Sequence, residues 1–430
     1  MAIIGGMTLT RRGFLASTGL LSGALVSPLR GAAQQLARPS GDPAEIARDE
    51  GYWQRVAAHY RVTDKVINLE AGYWGMMATP VADEYARHIE RVNRESSYYA
   101  RRSYGADLAA VRGRVAEFLR VEPDEIAFAR SATESLYALI GGYNKLAPGD
   151  AVLYADLDYP AMQNAMRSLA DRRRVEPIRI TIPEPASHDS VVAAYAAALD
   201  KHPNIRLVLL THVSNKTGLV IPTAALTTLA RSRGADTIVD AAHAIGQLDV
   251  TIPDVGADFV GFNLHKWIGA PLGVAAFYVK KSRLATIDRM MGESGDTIDS
   301  RIHTGTTNFA AFLTIPAALA FHESVGRAYK AARLRYLRDR WVHAVRELPQ
   351  VQVLTPDDPR MSAGITSFRL RGQTSAADND RVVNTLLTRH EIFTRRSPGV
   401  DGGDCVRVTP ALYTRPADVD RLAQAVRAMI

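Results

Sequence analysis

One cysteine in 430 residues, Cys405, excludes an intrachain disulfide and a cysteine-built zinc cage. A lone thiol also has no wrong partner within its own chain, which is compatible with an oxidising compartment. Neither a Walker-type glycine–lysine loop nor a GxGxxG fingerprint follows any expected strand, so a nucleotide reading has little support. No HExxH pair is present. The net charge of +7 is not organised for nucleic acid, because no run interleaves Lys/Arg clusters with aromatics. The compact run Arg172-Arg173-Arg174 reads as a solvated helix end. Internal repeats and low-complexity segments are also missing. What remains, 47% hydrophobic and 23% charged, is ordinary for a globular enzyme long enough for two or more domains.

The N-terminus stands apart from that enzyme. Thr10-Arg11-Arg12-Gly13-Phe14-Leu15 has the twin-arginine form, followed by a Gly/Ala/Ser-rich weakly apolar stretch to Val26 and a cleavage-like Gly31-Ala32-Ala33. That stretch is too short and too rich in small residues to span a bilayer. Residues 1–33 therefore read as a signal peptide that engages the Tat export machinery, with a periplasmic mature protein that has no membrane segment. Arg11, Arg12 and Arg30 are its only charges, so the remainder carries +4. The twin-arginine route carries proteins already folded, which suits one that loads a cofactor before export.

Residues 34–63 form an N-terminal segment with an expected helix over Pro43–Tyr60. Val66–Gly75 reads as a short strand running into a Gly-rich aromatic loop, followed by helices over Val81–Asn93 and Ala106–Arg120. From Glu125 strands and helices alternate. Apolar runs at Ile126–Ala129, Ala151–Tyr154, Arg206–Thr211, Thr237–Asp240, Asp258–Phe262 and Gly273–Val279 are separated by helical stretches. That alternation predicts an α/β fold with a mostly parallel sheet covered on both faces, in a large domain over 64–315. The last part, 316–430, opens on one long expected helix, Ala317–Leu348. It continues as a smaller α+β domain with strands at Val351–Leu354, Gly364–Leu370 and Cys405–Val408.

Chemistry gathers at the strand ends. Thr237–Asp240 is a β-branched run that delivers a carboxylate at its carboxyl end, and the next run delivers an amine, Lys266. Ligands of doubly wound sheets bind just outside those ends, so Asp240 and Lys266 face one expected pocket. A lysine that forms a Schiff base and an aspartate that keeps a pyridine nitrogen protonated are what pyridoxal 5'-phosphate (PLP) chemistry needs most. Ser131-Ala132-Thr133 opens a helix and offers an anion site for a phosphate. Tyr159, at the exit of another strand, is placed to stack on a flat ring. Thr211–Asn215 is a polar cluster at a third strand end. A rival reading takes His212, Asp240, His243 and His265 as zinc ligands of a hydrolase, but it leaves Lys266 and Arg407 idle. A cofactor-fold relic serving as a binding protein is a non-enzymatic alternative.

Taken together and in order, Asn68–Gly75, Arg130–Glu134, Asp158-Tyr159-Pro160, Ser214–Gly218, Asp240–His243, His265-Lys266, Gly305–Asn308 and Arg407–Tyr413 resemble the class V aminotransferase family of fold-type I PLP enzymes. The likeness covers roughly 64–426 and is nearest to the isopenicillin N epimerase-like branch. It implies that Lys266 is the Schiff-base lysine and the proton shuttle at Cα, and that Asp240 holds the pyridinium. His243 and Asn215 would lie near the ring hydroxyl and Tyr159 on the ring. Ala132, Thr133, Asn263 and His265 would hold the phosphate. Thr306 would come from the neighbouring subunit of a homodimer with shared active sites. Arg407 would clamp the substrate carboxylate, with Arg395 as a second arginine and Gly72 and Tyr73 on the substrate side. The family's desulfurases carry a nucleophilic cysteine on the loop before the arginine. Here Ser397–Gly403 has none, and Cys405 reads as a core thiol. The expected activity is transaminase- or epimerase-like action on a small amino acid or peptide metabolite. A C–S lyase comes next, and then tailoring of an exported siderophore peptide.

Overall fold

Six short apolar runs and one half-polar run form a seven-stranded sheet: β1 (Ile126–Ala129), β2 (Ala151–Ala155), β3 (Glu176–Ile180), β4 (Ile205–Thr211), β5 (Asp236–Asp240), β6 (Phe259–Asn263) and β7 (Ala275–Val279). The computed structural model describes residues 36, 38–303 and 305–430; the expected signal peptide, residues 1–33, lies outside the described residues. The strand order is β3-β2-β4-β5-β6-β7-β1, with β7 antiparallel to both neighbours and the other pairs parallel. Alternate residues point to opposite faces of a strand. Here the two sets enter two different cores: Leu207, Leu209, Ile238 and Phe259 on one side, Val208, Leu210, Val239 and Val260 on the other. Covered on both faces, the central strands read as mainly apolar runs with polar residues mostly near their ends. The edge strand β3 does not, and sequence reading passed over it. Its Pro177 is tolerable there because β3 pairs only with β2.

From β2 the chain runs outward to β3, whereas from β4 it runs the other way through β5 to β6. The reversal leaves a crevice at the carboxyl ends of the central strands.

A second sheet follows: β8 (Val351–Val353), β9 (Thr366–Leu370), β10 (Arg395–Ser397) and β11 (Cys405–Val408), antiparallel in the order β10-β11-β9-β8. Its core joins Phe368 and Val406 to Leu337, Trp341, Leu386 and Leu422 from three helices. Ile67-Asn68 pairs in parallel with Ile392-Phe393, and the ladder ends in a bridge between Glu70 and Thr409. An N-terminal segment is thereby stitched into this layer.

Two expected helices are each divided. The stretch expected as Ala317–Leu348 is Ile315–Val325 followed by Arg327–Val345, and the axis turns by 71° between them. Gly326 sits at the break with φ of 90°, a backbone shape that side chains disfavour. The stretch expected as Pro43–Tyr60 is Pro43–Ile46 and Glu50–Ala57, because Asp49 accepts from Tyr52 N and starts a new helix. Among the described residues no single helix is long and apolar enough to cross a bilayer.

Candidate active site

Asp240 ends β5 and Asn263 ends the adjacent parallel strand β6, so Lys266, three residues on, emerges at the same sheet end. Asp240 is 4% exposed, and its Oδ1 accepts from Ala242 N at 2.9 Å. Among the described residues nothing donates to Oδ2. Burial pushes the Asp240 carboxyl up, while Lys266 pulls it down. Burial also pushes the Lys266 amine from 10.5 down to about 8; Asp240 opposes that shift, and Arg407 and Arg395 reinforce it.

His243 joins this pair through Trp267. The Trp267 indole N–H donates to His243 Nδ1 at 3.2 Å, and Lys266 Nζ lies 3.0 Å from His243 Nε2. Burial, then the nearby Lys266, hold His243 well below its ordinary pKa, so the ring is neutral. An indole nitrogen only donates, so Nδ1 is the acceptor and the ring proton sits on Nε2. That proton faces Lys266, whose amine must then offer a lone pair. The contact therefore selects the neutral, nucleophilic form of the lysine.

The anion end is built at the start of the Ala132–Gly142 helix. Ser131 caps it, accepting from Glu134 N, and Ala132 N donates to Asn263 Oδ1 at 2.8 Å. Asn263 thus ties the helix start to β6, and among the described residues the Thr133 N–H has no partner. Free N–H groups at a helix N-terminus suit a phosphate. His265 is buried and its Nδ1–H donates to Val274 O at 2.8 Å, fixing the ring with Nε2 uncommitted; burial pushes its pKa to about 4. The lysine loop is clamped from outside by Gly75, whose N–H donates to His265 O at 2.8 Å. A Cβ at Gly75 would sit 1.7 Å from the Lys266 carbonyl oxygen, so only glycine fits.

Tyr159 stands at the N-cap of the Pro160–Arg173 helix and is 39% exposed. Asn215 presents a buried Oδ1 with no donor among the described residues. Tyr73 is 68% exposed and meets Trp74 edge-on at 5.2 Å, whereas Gly72 packs against the Arg407 guanidinium. Thr306 is exposed on a surface loop and not in this chain's cluster. The zinc alternative does not assemble: among the described residues no three His, Cys, Asp or Glu side chains converge as a metal site.

Arg407 has company that sequence reading missed. It is 2% exposed; its Nε and Nη2 donate to the two Glu70 oxygens, Nε at 3.2 Å, and Nη1 donates to Asn215 O at 2.8 Å. Arg395 lies directly opposite Arg407 in the β10–β11 ladder and spends only its Nε, on Arg396 O at 3.0 Å. Glu70 and Trp267 both lie in stretches whose neighbours drew attention, yet neither carries a spacing signal of its own. Asp158 was missed as a buried group. It is 2% exposed, bonded to Ala155 N, and pushed up to about 7 by burial.

The arrangement fits a phosphorylated pyridine aldehyde. An orphaned carboxylate oxygen awaits a ring N–H, a lysine amine awaits an aldehyde, and the unpaired Thr133 N–H at a helix start awaits a phosphate. Comparison with known proteins points the same way. The family model described as Aminotransferase class-V matches residues 78–428. The chain is similar to isopenicillin N epimerase of Streptomyces clavuligerus, 27% identical over 397 residues, which covers 88% of this chain and 98% of the relative. It is also similar to cysteine desulfurase of Pectobacterium carotovorum subsp. carotovorum (strain PC1), 28% identical over 344 residues, 74% of this chain and 81% of the relative. Among solved structures, apo cysteine desulfurase from Thermococcus onnurineus NA1 superposes with a TM-score of 0.76 at 20% identity, covering 88% of this chain and 98% of that one. A cystine C-S lyase in complex with its product, cysteine persulfide, superposes at 0.73 and 21% identity, covering 84% and 97%. The fold is that of the fold-type I PLP enzymes.

Proposed function

The chain belongs to the class V aminotransferase family, whose enzymes depend on PLP, and from that premise we propose that it acts at the Cα of an amino acid or amino-acid-bearing metabolite, with aminotransferase- or epimerase-like chemistry. The observation that carries this reading is the Trp267–His243–Lys266 contact chain beside the orphaned oxygen of Asp240. When bound, PLP supplies an electron sink that lowers the barrier to breaking a bond at Cα.

The chain's own residues supply the rest. Asp240 would hold the pyridine N–H through its free carboxylate oxygen and keep that proton in place. His243 and Asn215 would lie near the ring hydroxyl. Ala132, Thr133, Asn263 and His265 would hold the phosphate, and Tyr159 would stack on the ring. Lys266, about half of it neutral at pH 8, would anchor the cofactor and is placed to carry a proton to and from Cα. The epimerase-like reading is favoured over a desulfurase by Cys405. Its thiol is fully buried and pushed up to about 12, whereas a sulfur-transfer nucleophile needs an accessible thiolate. The exposed Thr306 supports a homodimer in which that residue serves the neighbouring site. Arg11-Arg12 in the leader supports export to the periplasm.

The test is direct. Purified protein titrated with PLP is expected to turn yellow, and borohydride followed by peptide mapping is expected to leave the phosphopyridoxyl group on Lys266. A colourless protein, or label on another lysine, refutes the assignment. With an amino-acid panel in heavy water, deuterium at Cα without keto acid marks epimerase-like action, and keto acid marks transamination. Neither from any amino acid or peptide tested would overturn the Cα reading.

A further inference from the structure

The turn that carries Lys266 is held through its carbonyls. His265 O accepts from Gly75 N at 2.8 Å, and Lys266 O accepts from Gly269 N at 3.2 Å. Trp267 O has no backbone donor among the described residues. It accepts instead from the Lys330 amine, 63 residues along the chain. Trp267 is buried, and an unmet carbonyl there would be costly, so some donor is required. That the donor is a lysine is not explained by this need alone.

The bend at Gly326 puts Lys330 in this place. In a straight helix, residues eight apart are separated by about 12 Å along the axis. The 71° turn brings His322, near the end of Ile315–Val325, close to the Lys330 amine, with His322 Nδ1 at 3.3 Å. Both side chains are buried, and His322 Nε2 has no partner among the described residues. Burial, then Lys330 and Arg327, hold His322 well below its ordinary pKa, so its ring is neutral. An ammonium only donates, so charged Lys330 gives one N–H to Trp267 O and another to His322 Nδ1. Lys330 and Lys266 also border one cavity of about 40 Å³, with Gly75, Trp267, Leu412 and Tyr413. Among the described residues no carboxylate pairs with Lys330, so its charged form is disfavoured by burial with nothing to offset it. Buried titratable groups of this kind gather at functional sites.

We propose that Lys330 is a positioning residue: its amine clamps the Trp267 carbonyl and so fixes the turn from which Lys266 and the Trp267 indole project. The indole N–H then meets His243 Nδ1 at 3.2 Å, and His243 Nε2 meets the Lys266 amine at 3.0 Å. The charges that act on the Lys266 amine come from Asp240, Arg407, Glu70 and Arg395. Lys330 reaches that amine through the backbone. Without the clamp the turn loosens, the indole loses its hold on Nδ1, and the charged form of Lys266 is favoured. This assignment rests on the reading above that Lys266 anchors PLP.

The experiment compares the full-length protein with Lys330→Met, Trp267→Phe and the double variant. Hydrogen exchange, with and without PLP, reads the turn. In Lys330→Met the peptide over residues 264–270 is expected to exchange roughly 5-fold faster, as for one lost hydrogen bond, with β4 unchanged. The rate of PLP loading is then followed against pH from the visible band. Lys330→Met is expected to raise its midpoint by about half to one unit. The double variant is expected to go no higher than Trp267→Phe alone, because both changes act on one contact. Lys330→Leu serves as a second amine-free variant and is expected to show the same two changes. The proposal is overturned if the turn exchanges as in wild type, or if exchange rises throughout the protein, which marks a general packing role. It is also overturned if the midpoint stays put, or if the two single shifts add, which marks an effect of charge. A wild type that never turns yellow fails the cofactor assignment instead, while exchange without PLP still decides the clamp.

Discussion

Lys330 offers a sharp test of how this fold handles buried charge. It is 6% exposed on the Arg327–Val345 helix, and among the described residues no carboxylate pairs with it. Its amine donates to the Trp267 backbone oxygen and lies 3.3 Å from His322 Nδ1. Burial alone pushes it from 10.5 down to about 7. The unfolded chain holds this proton up to about 10.5, whereas the folded chain releases it near 7. Unfolding therefore takes up a proton in that window, and stability rises with pH by up to about 1.4 kcal/mol per unit. Below pH 7 both states are charged and the folded protein bears the whole desolvation cost, on the order of 4–5 kcal/mol. Lys330→Met keeps the apolar stem and removes the amine together with two hydrogen bonds, each contributing ~1 kcal/mol. The variant should then be more stable than wild type by ~2–3 kcal/mol near pH 6, and equal or slightly less stable near pH 9.5. Urea unfolding of cofactor-free protein at the two pH values measures this. Parallel wild-type and variant curves at both, or a variant weaker at pH 6 than at pH 9.5, would refute the reasoning.

Trp267→Phe removes the N–H that holds the proton of His243 on Nε2, lets the ring accept from a protonated Lys266, and so favours the charged amine. The midpoint of PLP loading rate against pH should move up by about half to one unit, as expected for one hydrogen bond; an unmoved midpoint means the indole does not set the tautomer. Gly75→Ala drives a Cβ to 1.7 Å from the Lys266 carbonyl, so the lysine loop must shift. PLP bound per chain, read from the visible band, should fall and the urea midpoint drop, and an unchanged pair of values would show the clamp to be dispensable. Replacing Arg11 and Arg12 by lysines should strand the precursor in the cytoplasm, and its continued appearance in the periplasm would count against a twin-arginine leader.

How far the fold could be read from sequence follows from where each strand lies. β4, β5 and β6 are buried on both faces, so their central residues are apolar, with polar residues mainly near the ends, and they are recognisable as strands of a covered parallel sheet. The edge strands are different. β3 carries Glu176, Pro177 and Arg179, and β10 is Arg395-Arg396-Ser397; each pairs on one side only, so neither needs an apolar pattern. The bend at Gly326 was hidden because the helical periodicity resumes on both sides of it. At the site, the residues the structure gathers around Lys266, namely Asp240, His243, Asn263 and His265, all sit within four residues of a strand end. There, short-range order alone dictates position.

Glu70 shows where such reading stops. Its partner Arg407 is 337 residues away, and the two meet only because Ile67-Asn68 pairs with Ile392-Phe393 and the ladder runs on to Thr409. No local pattern encodes that three-segment register. A motif can therefore announce a guanidinium beside the pocket while saying nothing of whether it is spoken for. Type of residue is a local property, but availability is tertiary, set by whichever carboxylate the fold brings within reach first. In this chain the distinction shows in one pair of facing arginines. The arginine in the more recognisable position is bound by an internal carboxylate, and the less conspicuous Arg395, on a polar edge strand, is the one whose N–H groups remain to be satisfied. A buried ion pair of this kind is weak evidence for stability. Removing one partner alone would leave the other charge buried and unpaired, at a cost of about 3–5 kcal/mol.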